Sequence, residues 1–208
     1  MNVKFLLGVL IITTCTCCVA QEKAQPQFSR LIIDSSIPGK FQKGNKQARD
    51  FTALGVGQAN WYFTDNTSFG EMFPPQQSEI FLDTVQTFLE VPCDCMIKSD
   101  TIFLRGGLAY EAAMGFEVKI VKNLFSAETF LGGSFRIGNE GPYLNQISLK
   151  SGKQSLRISD QNSLRKGQTM IGQLTMESVE YQKKGDSTSM KMFMKVLFKC
   201  PINDVFVM

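Results

Sequence analysis

Between positions 190 and 200 every second residue is apolar: Met190, Met192, Met194, Val196, Phe198 and Cys200. Lys191, Lys195 and Lys199 fall between them, interleaved with Phe193 and Leu197. A period of two marks a strand with one buried face. Lysines on the other face keep such a strand from pairing with another chain. Met170, Leu174, Met176, Val179 and Tyr181 are the apolar positions of a long preceding strand. Its parity shifts at Glu177-Ser178, as a β-bulge requires. Residues 183–187 (KKGDS) make the turn between the two.

The same reading predicts strands at 28–33, 101–105, 115–121 and 125–131. The last three are broken by Gly106-Gly107, Lys122-Asn123 and Gly132-Gly133. Residues 144–149 and 154–158 flank Lys150-Ser151-Gly152-Lys153, a pattern that predicts a β-hairpin. Residues 51–65 predict one bent strand or two short ones, with Gly55 and Gly57 permitting a bulge.

One segment has a different period. Phe81, Leu82, Val85, Phe88 and Leu89 follow i, i+1, i+4, i+7, i+8. Ser78 is placed to cap a helix there and Pro92 to end it. The expected fold is therefore a single all-β domain, an antiparallel β-sandwich with a β-barrel as the alternative. One covering α-helix is expected near residues 76–91.

The chain begins with Lys4, a short apolar run at 5–12 (FLLGVLII), and Cys18-Val19-Ala20 before Gln21. This pattern predicts a signal peptide over 1–20, cleaved after Ala20. A run of eight is too short to span a bilayer, which asks for about 20 apolar residues. Residues 21–27 (QEKAQPQ) read as a flexible leader, and 28–208 as the β-rich domain. A competing reading takes Ile12-Thr13-Thr14-Cys15 as a weak lipobox, with Cys15 acylated to make a lipoprotein. Either way the expected location is extracytoplasmic: secreted, periplasmic or lipid-anchored, with no transmembrane span.

Composition narrows the chemistry. The 208 residues contain no His. Ser-His-Asp and Cys-His catalysis, imidazole zinc sites and imidazole proton relays are thereby excluded. Beyond the predicted cleavage point only Cys93, Cys95 and Cys200 remain. A disulfide from Cys93 or Cys95 to Cys200 is the expected use in an oxidising compartment. Three thiols without His make a poor metal set, so no metal is expected. Residues 150–208 carry ten basic against five acidic residues, and 21–149 carry eleven against fourteen. The C-terminal strands are thus a basic, solvated surface. Lys40, Lys43, Lys46 and Arg49 lie on a Gly-containing loop and read as flexible.

No phosphate-binding glycine loop, nucleophile elbow or calcium loop is present, so no cofactor and no nucleic acid are expected. An enzyme would depend on paired acids. The pairs at hand are Glu111 with Glu117 and Glu177 with Glu180, the latter expected to face apart. The aromatic run Trp61-Tyr62-Phe63 holds the only Trp and is the candidate ligand-binding cluster, with a core role as the competing reading. Asn66-Thr67-Ser68 is a glycosylation sequon if the pathway is eukaryotic.

Three functions fit. The first is a non-catalytic secreted or envelope-associated domain for binding, adhesion or scaffolding, with carbohydrate, lipid or another envelope protein as partner. The second is a lipocalin-like carrier of a small apolar ligand, which suits the Met-lined last strand. The third is a carboxylate-based glycoside hydrolase. The expectation is the first, a non-enzyme.

Overall fold

In the computed structural model of the protein, the residues described are 27–40, 57–62, 88–108, 114–138, 141–187 and 189–206. The signal and lipidation positions, including Cys15, lie outside them, as do 41–56 and Glu111. In chain order the strands are β1 (Ser29–Arg30), β2 (Ile32–Ile33), β3 (Gly57–Tyr62), β4 (Phe88–Lys98), β5 (Thr101–Leu108) and β6 (Met114–Val121). They continue with β7 (Leu124–Ile137), β8 (Leu144–Ile158), β9 (Thr169–Ser178), β10 (Tyr181–Lys183) and β11 (Phe193–Asn203). Two short 3-10 turns, Ile37–Lys40 and Gln161–Ser163, are the helical elements among the described residues.

All eleven strands belong to one sheet. From β3 to β9 each strand pairs antiparallel with the next, and β11 pairs antiparallel with both β9 and β3. The order therefore returns to its start and forms a ring. Two separate facing sheets are not seen among the described residues. Inside the ring is a single core cluster whose members alternate along each strand, for example Phe116, Val118 and Ile120 on β6 and Met194, Val196 and Phe198 on β11. The period-two pattern of the sequence is thus the imprint of one enclosed interior.

Three cross-strand pairs shape the wall. Gly106 is the register partner of Phe116, Gly115 of Phe130, and Gly172 of Phe198. At each glycine a β-carbon would approach the ring of its partner closer than 3.0 Å. A glycine covered by the aromatic ring opposite lets the sheet coil sharply without opening a void.

Several expectations need correction. Residues 88–91 are the start of β4, so the expected helix near 76–91 does not reach its end there, and 76–87 lie outside the described residues. Of the five-residue stripe only Phe88 and Leu89 fall among the described residues, and both are strand. Tertiary pairing with β3, from Tyr62↔Phe88 to Gly57↔Cys93, decides the strand. Pro92 is accommodated because pairing with β5 begins only at Cys93. The expected hairpin at 150–153 is not a turn. Residues 144–158 are one strand of 15, and the register shift between Ser151 and Lys153 is a bulge. The glycine pairs at 106–107 and 132–133 also lie inside strands. At 132–133 they accompany a register shift against β8, with Gly133 at φ 132°.

Candidate functional site

The ring has a seam. β7 and β8 pair from Phe135↔Leu144 to Glu128↔Lys150. Beyond that point the bulge at 151–153 turns β8 away, and the two strands part. Residues 27–40 fill the gap. β1 pairs antiparallel with β7 through Ser29↔Phe125 and Arg30↔Leu124, and β2 pairs parallel with β8 through Ile32↔Arg157 and Ile33↔Ile158. The chain crosses from one edge to the other at Leu31, whose N–H donates to Asn123 O at 2.9 Å. Farther on, Asp34 N–H donates to Ile158 O, the Asp34 carboxylate meets Arg157 at 3.3 Å, and Ile37 is fully buried.

Gln154 closes what the backbone leaves open. Its Oε1 accepts from Ala127 N at 2.9 Å, and its Nε2 donates to Gln27 O at 2.7 Å and Ser29 Oγ at 3.0 Å. A third, longer contact of 3.4 Å runs to Phe125 O. One side-chain amide thus supplies the donor and acceptor that a full strand would have brought.

At the apex of the seam lies a cleft of about 260 Å³. Gln27, Glu117, Lys119, Glu128, Lys150 and Ser151 contribute to its lining. Of its charges, Glu117, Glu128 and Lys150 belong to a row that runs across five strands in register, Asp94, Arg105, Glu117, Glu128 and Lys150, and Lys119 stands beside it on β6. The signs alternate except at the centre, where Glu117 and Glu128 stand directly opposite each other. Like charges in that position repel. The arrangement is held by Arg105 Nε, 2.5 Å from Glu117, and by Ser148 Oγ, which donates to Glu128 at 2.8 Å. The Arg105 guanidinium also lies 4.4 Å over the Phe206 ring. Facing acceptors flanked by two lysines and serines can exchange hydrogen bonds with a polar ligand or with a peptide backbone.

The residues nominated from sequence are dispersed. Trp61 and Tyr62 occupy β3, where Trp61 is in register with Val196 and Leu89; Phe63 lies outside the described residues. Glu117 is at the cleft, but its partner is Glu128. That partner was legible: a two-residue turn at Lys122-Asn123 sets Val121 opposite Leu124 and so Glu117 opposite Glu128. Glu177 and Glu180 are held by different groups. Glu177 meets Lys191 at 2.7 Å and Lys153 at 3.4 Å, while Glu180 accepts from Ser189. Partial burial opposes ionisation of Glu177, yet the two lysines prevail and hold its carboxyl below the usual range.

Cys93, Cys95 and Cys200 come together inside the ring, fully buried, and all three are free thiols. The expected bridge to Cys200 is not formed. β3 enters between β4 and β11 at this level, with Gly57 opposite Cys93, and where β4 and β11 meet directly Cys95 pairs with Ile202. Burial pushes all three thiols up, and the Cys93 thiol donates to Lys199 O at 3.8 Å. Among the described residues no group of three or more Cys, Asp or Glu is arranged to hold a metal ion.

A second polar feature sits inside the wall. Tyr181 is fully buried, edge-on to Phe135 with ring centroids 5.8 Å apart. Its hydroxyl has no hydrogen-bond partner among the described residues, and burial raises its pKa. Buried Met190, Met192 and Met194 follow on the same chain segment, and the Thr129 hydroxyl touches Met192 Sδ at 3.2 Å.

Comparison with protein-family models, with curated proteins and with solved structures finds no match to this chain.

Proposed function

We propose that this chain is an extracytoplasmic, non-catalytic β-barrel domain that acts by binding, in adhesion or scaffolding. The barrel is favoured over the sandwich because the strand order returns on itself round one apolar interior. The observation that carries the binding reading is the seam. There two strands of a rigid wall part, a cleft of about 260 Å³ opens, and a side chain substitutes for backbone pairing. The N-terminal sequence pattern supports export. Against turnover stand the absence of His and the engagement of the nominated acids by cations and hydroxyls.

A second reading, a carrier of a small apolar ligand, draws on one observation. The buried Tyr181 hydroxyl, without a hydrogen-bond partner among the described residues, is what the polar end of such a ligand would satisfy.

The test is the native mass spectrum of the protein made with its own N-terminus in an oxidising envelope, joined to an assay on chromogenic glycosides. The binding reading expects a chain starting at Gln21, no retained adduct and no turnover. An apolar adduct would put the carrier first. Hydrolysis lost when Glu117 or Glu128 becomes its amide would establish an enzyme. A diacylated Cys15 would make the protein a lipoprotein instead of a freely secreted one.

A further inference from the structure

We propose that the seam between β7 and β8 is a strand-addition site for an extended peptide segment of a partner protein, and that residues 27–40 occupy it in cis until displaced. The proposal rests on the binding reading above and names the partner class.

The occupant already in place defines the chemistry. An extended segment lies between two strand edges and pairs with both, antiparallel to β7 and parallel to β8. Main-chain hydrogen bonds of this kind provide affinity whatever the sequence, and the side chains between them provide selectivity. Two side chains of the segment are withdrawn from solvent: Leu31 packs partly buried against the core cluster, and Ile37, outside that cluster, is completely buried. Asp34 reaches Arg157. A competing peptide therefore needs an apolar residue in its extended part, an acid three positions later, and then a turn that delivers a second apolar residue.

The grip of the cis segment is short. Each of its strands pairs through two residues only. Its remaining apolar side chains are spent on solvent: Phe28 is 42%, Ile32 42% and Ile33 50% exposed, next to Leu124 at 40%. Exposed apolar residues gathered at one edge mark an interaction surface. Gln154 serves Ala127 and Phe125 on β7 by a side-chain amide, a bond that an incoming backbone can replace in kind. Elements with few buried contacts open at lower cost than the core strands. Release also leaves the ring pairings β3 to β11 in place, because none of them involves residues 27–40.

The experiment uses the full chain and a fluorescent synthetic peptide with the sequence of residues 27–38 (QFSRLIIDSSIP). Hydrogen exchange is followed at Leu31 and Asp34 and at Val118 of β6. The expected result is exchange about a hundredfold or more faster at Leu31 and Asp34 than at Val118. The peptide is then captured at a rate limited by that opening, and a scrambled peptide is not captured. Equal protection of the segment and β6 would overturn the proposal, as would equal capture of the scrambled peptide. A concentration-dependent dimer without peptide capture would overturn it in favour of segment exchange between copies. Opening without capture would overturn strand addition while leaving the binding reading to the mass and turnover tests above. No substitution is needed, so a folding failure cannot obscure the outcome.

Discussion

The ring of Phe198 lies across its register partner Gly172 on the neighbouring strand, so closely that a β-carbon at 172 would fall within 3.0 Å of it. The Arg157 backbone carbonyl closes the same space from β8, 2.7 Å from that β-carbon position. Phe198 is fully buried, so it cannot swing into solvent to make room. Gly106 and Phe116 repeat the relationship on the other side of the ring, at 2.6 Å. The glycines are therefore part of the packing of the interior.

Gly172→Ala is expected to lower stability by about 1–3 kcal/mol, the usual cost of overpacking. Equilibrium urea unfolding measures it. Combining it with Phe198→Leu should restore part of the loss, since the smaller side chain vacates the contested space. A double mutant showing simple additivity would mean that the two residues do not compete.

Glu177 supplies a pH dependence with a definite sign. Its carboxyl is held below the ordinary range by Lys191 and Lys153, despite burial. A depressed folded value means stability fully present above the unfolded value of about 4.3 and lost as pH falls below it. Glu177→Gln should cost under about 1 kcal/mol near neutrality, as for a partly exposed pair. The difference between the two proteins should shrink below about pH 4. Urea midpoints measured from pH 3 to pH 8 would show a constant gap if the ion pairs contribute nothing.

The three buried thiols set the alkaline side. Each is raised by burial, so folding is favoured below the ordinary thiol value of about 8.5 and loses ground as pH climbs past it. The native protein is expected to resist a thiol reagent at pH 7 and to react at Cys93, Cys95 and Cys200 once denatured. Its intact mass should show no two-dalton deficit. A deficit would place a disulfide where the structure has free thiols.

Tyr181→Phe removes the hydroxyl that has no partner among the described residues and keeps the edge-on contact with Phe135. It is expected to raise stability by about 1 kcal/mol, because an unpaired buried donor carries a desolvation cost. A loss of stability, or the loss of a co-purifying apolar adduct, would show that the hydroxyl has a ligand and would favour the carrier.

How much of this was legible in the chain depends on the range of the interaction involved. Alternation at 193–200 and 170–176 determined that those segments are strands with one buried face, because a period of two is a local property of the backbone; at 190–192 the same alternation runs on but the chain makes only an isolated bridge to Tyr181. The absence of His determined which chemistries are closed, independent of fold. The two-residue turn at Lys122-Asn123 carried the register of β6 on β7, and with it the facing Glu117 and Glu128. Tertiary structure decided the rest. Phe88 and Leu89 satisfy a helical stripe and a strand equally well until β3 pairs with them. Gly152 reads as a turn until β9 pairs continuously past the bulge and keeps 144–158 as one strand. Cys93 and Cys200 suit a disulfide until β3 comes between their strands. The seam, its Gln154 bridge and the segment that fills it depend on residues more than 120 positions apart, such as Gln154 with Gln27. No local pattern encodes them, because which edges remain unpaired is settled only when the ring closes.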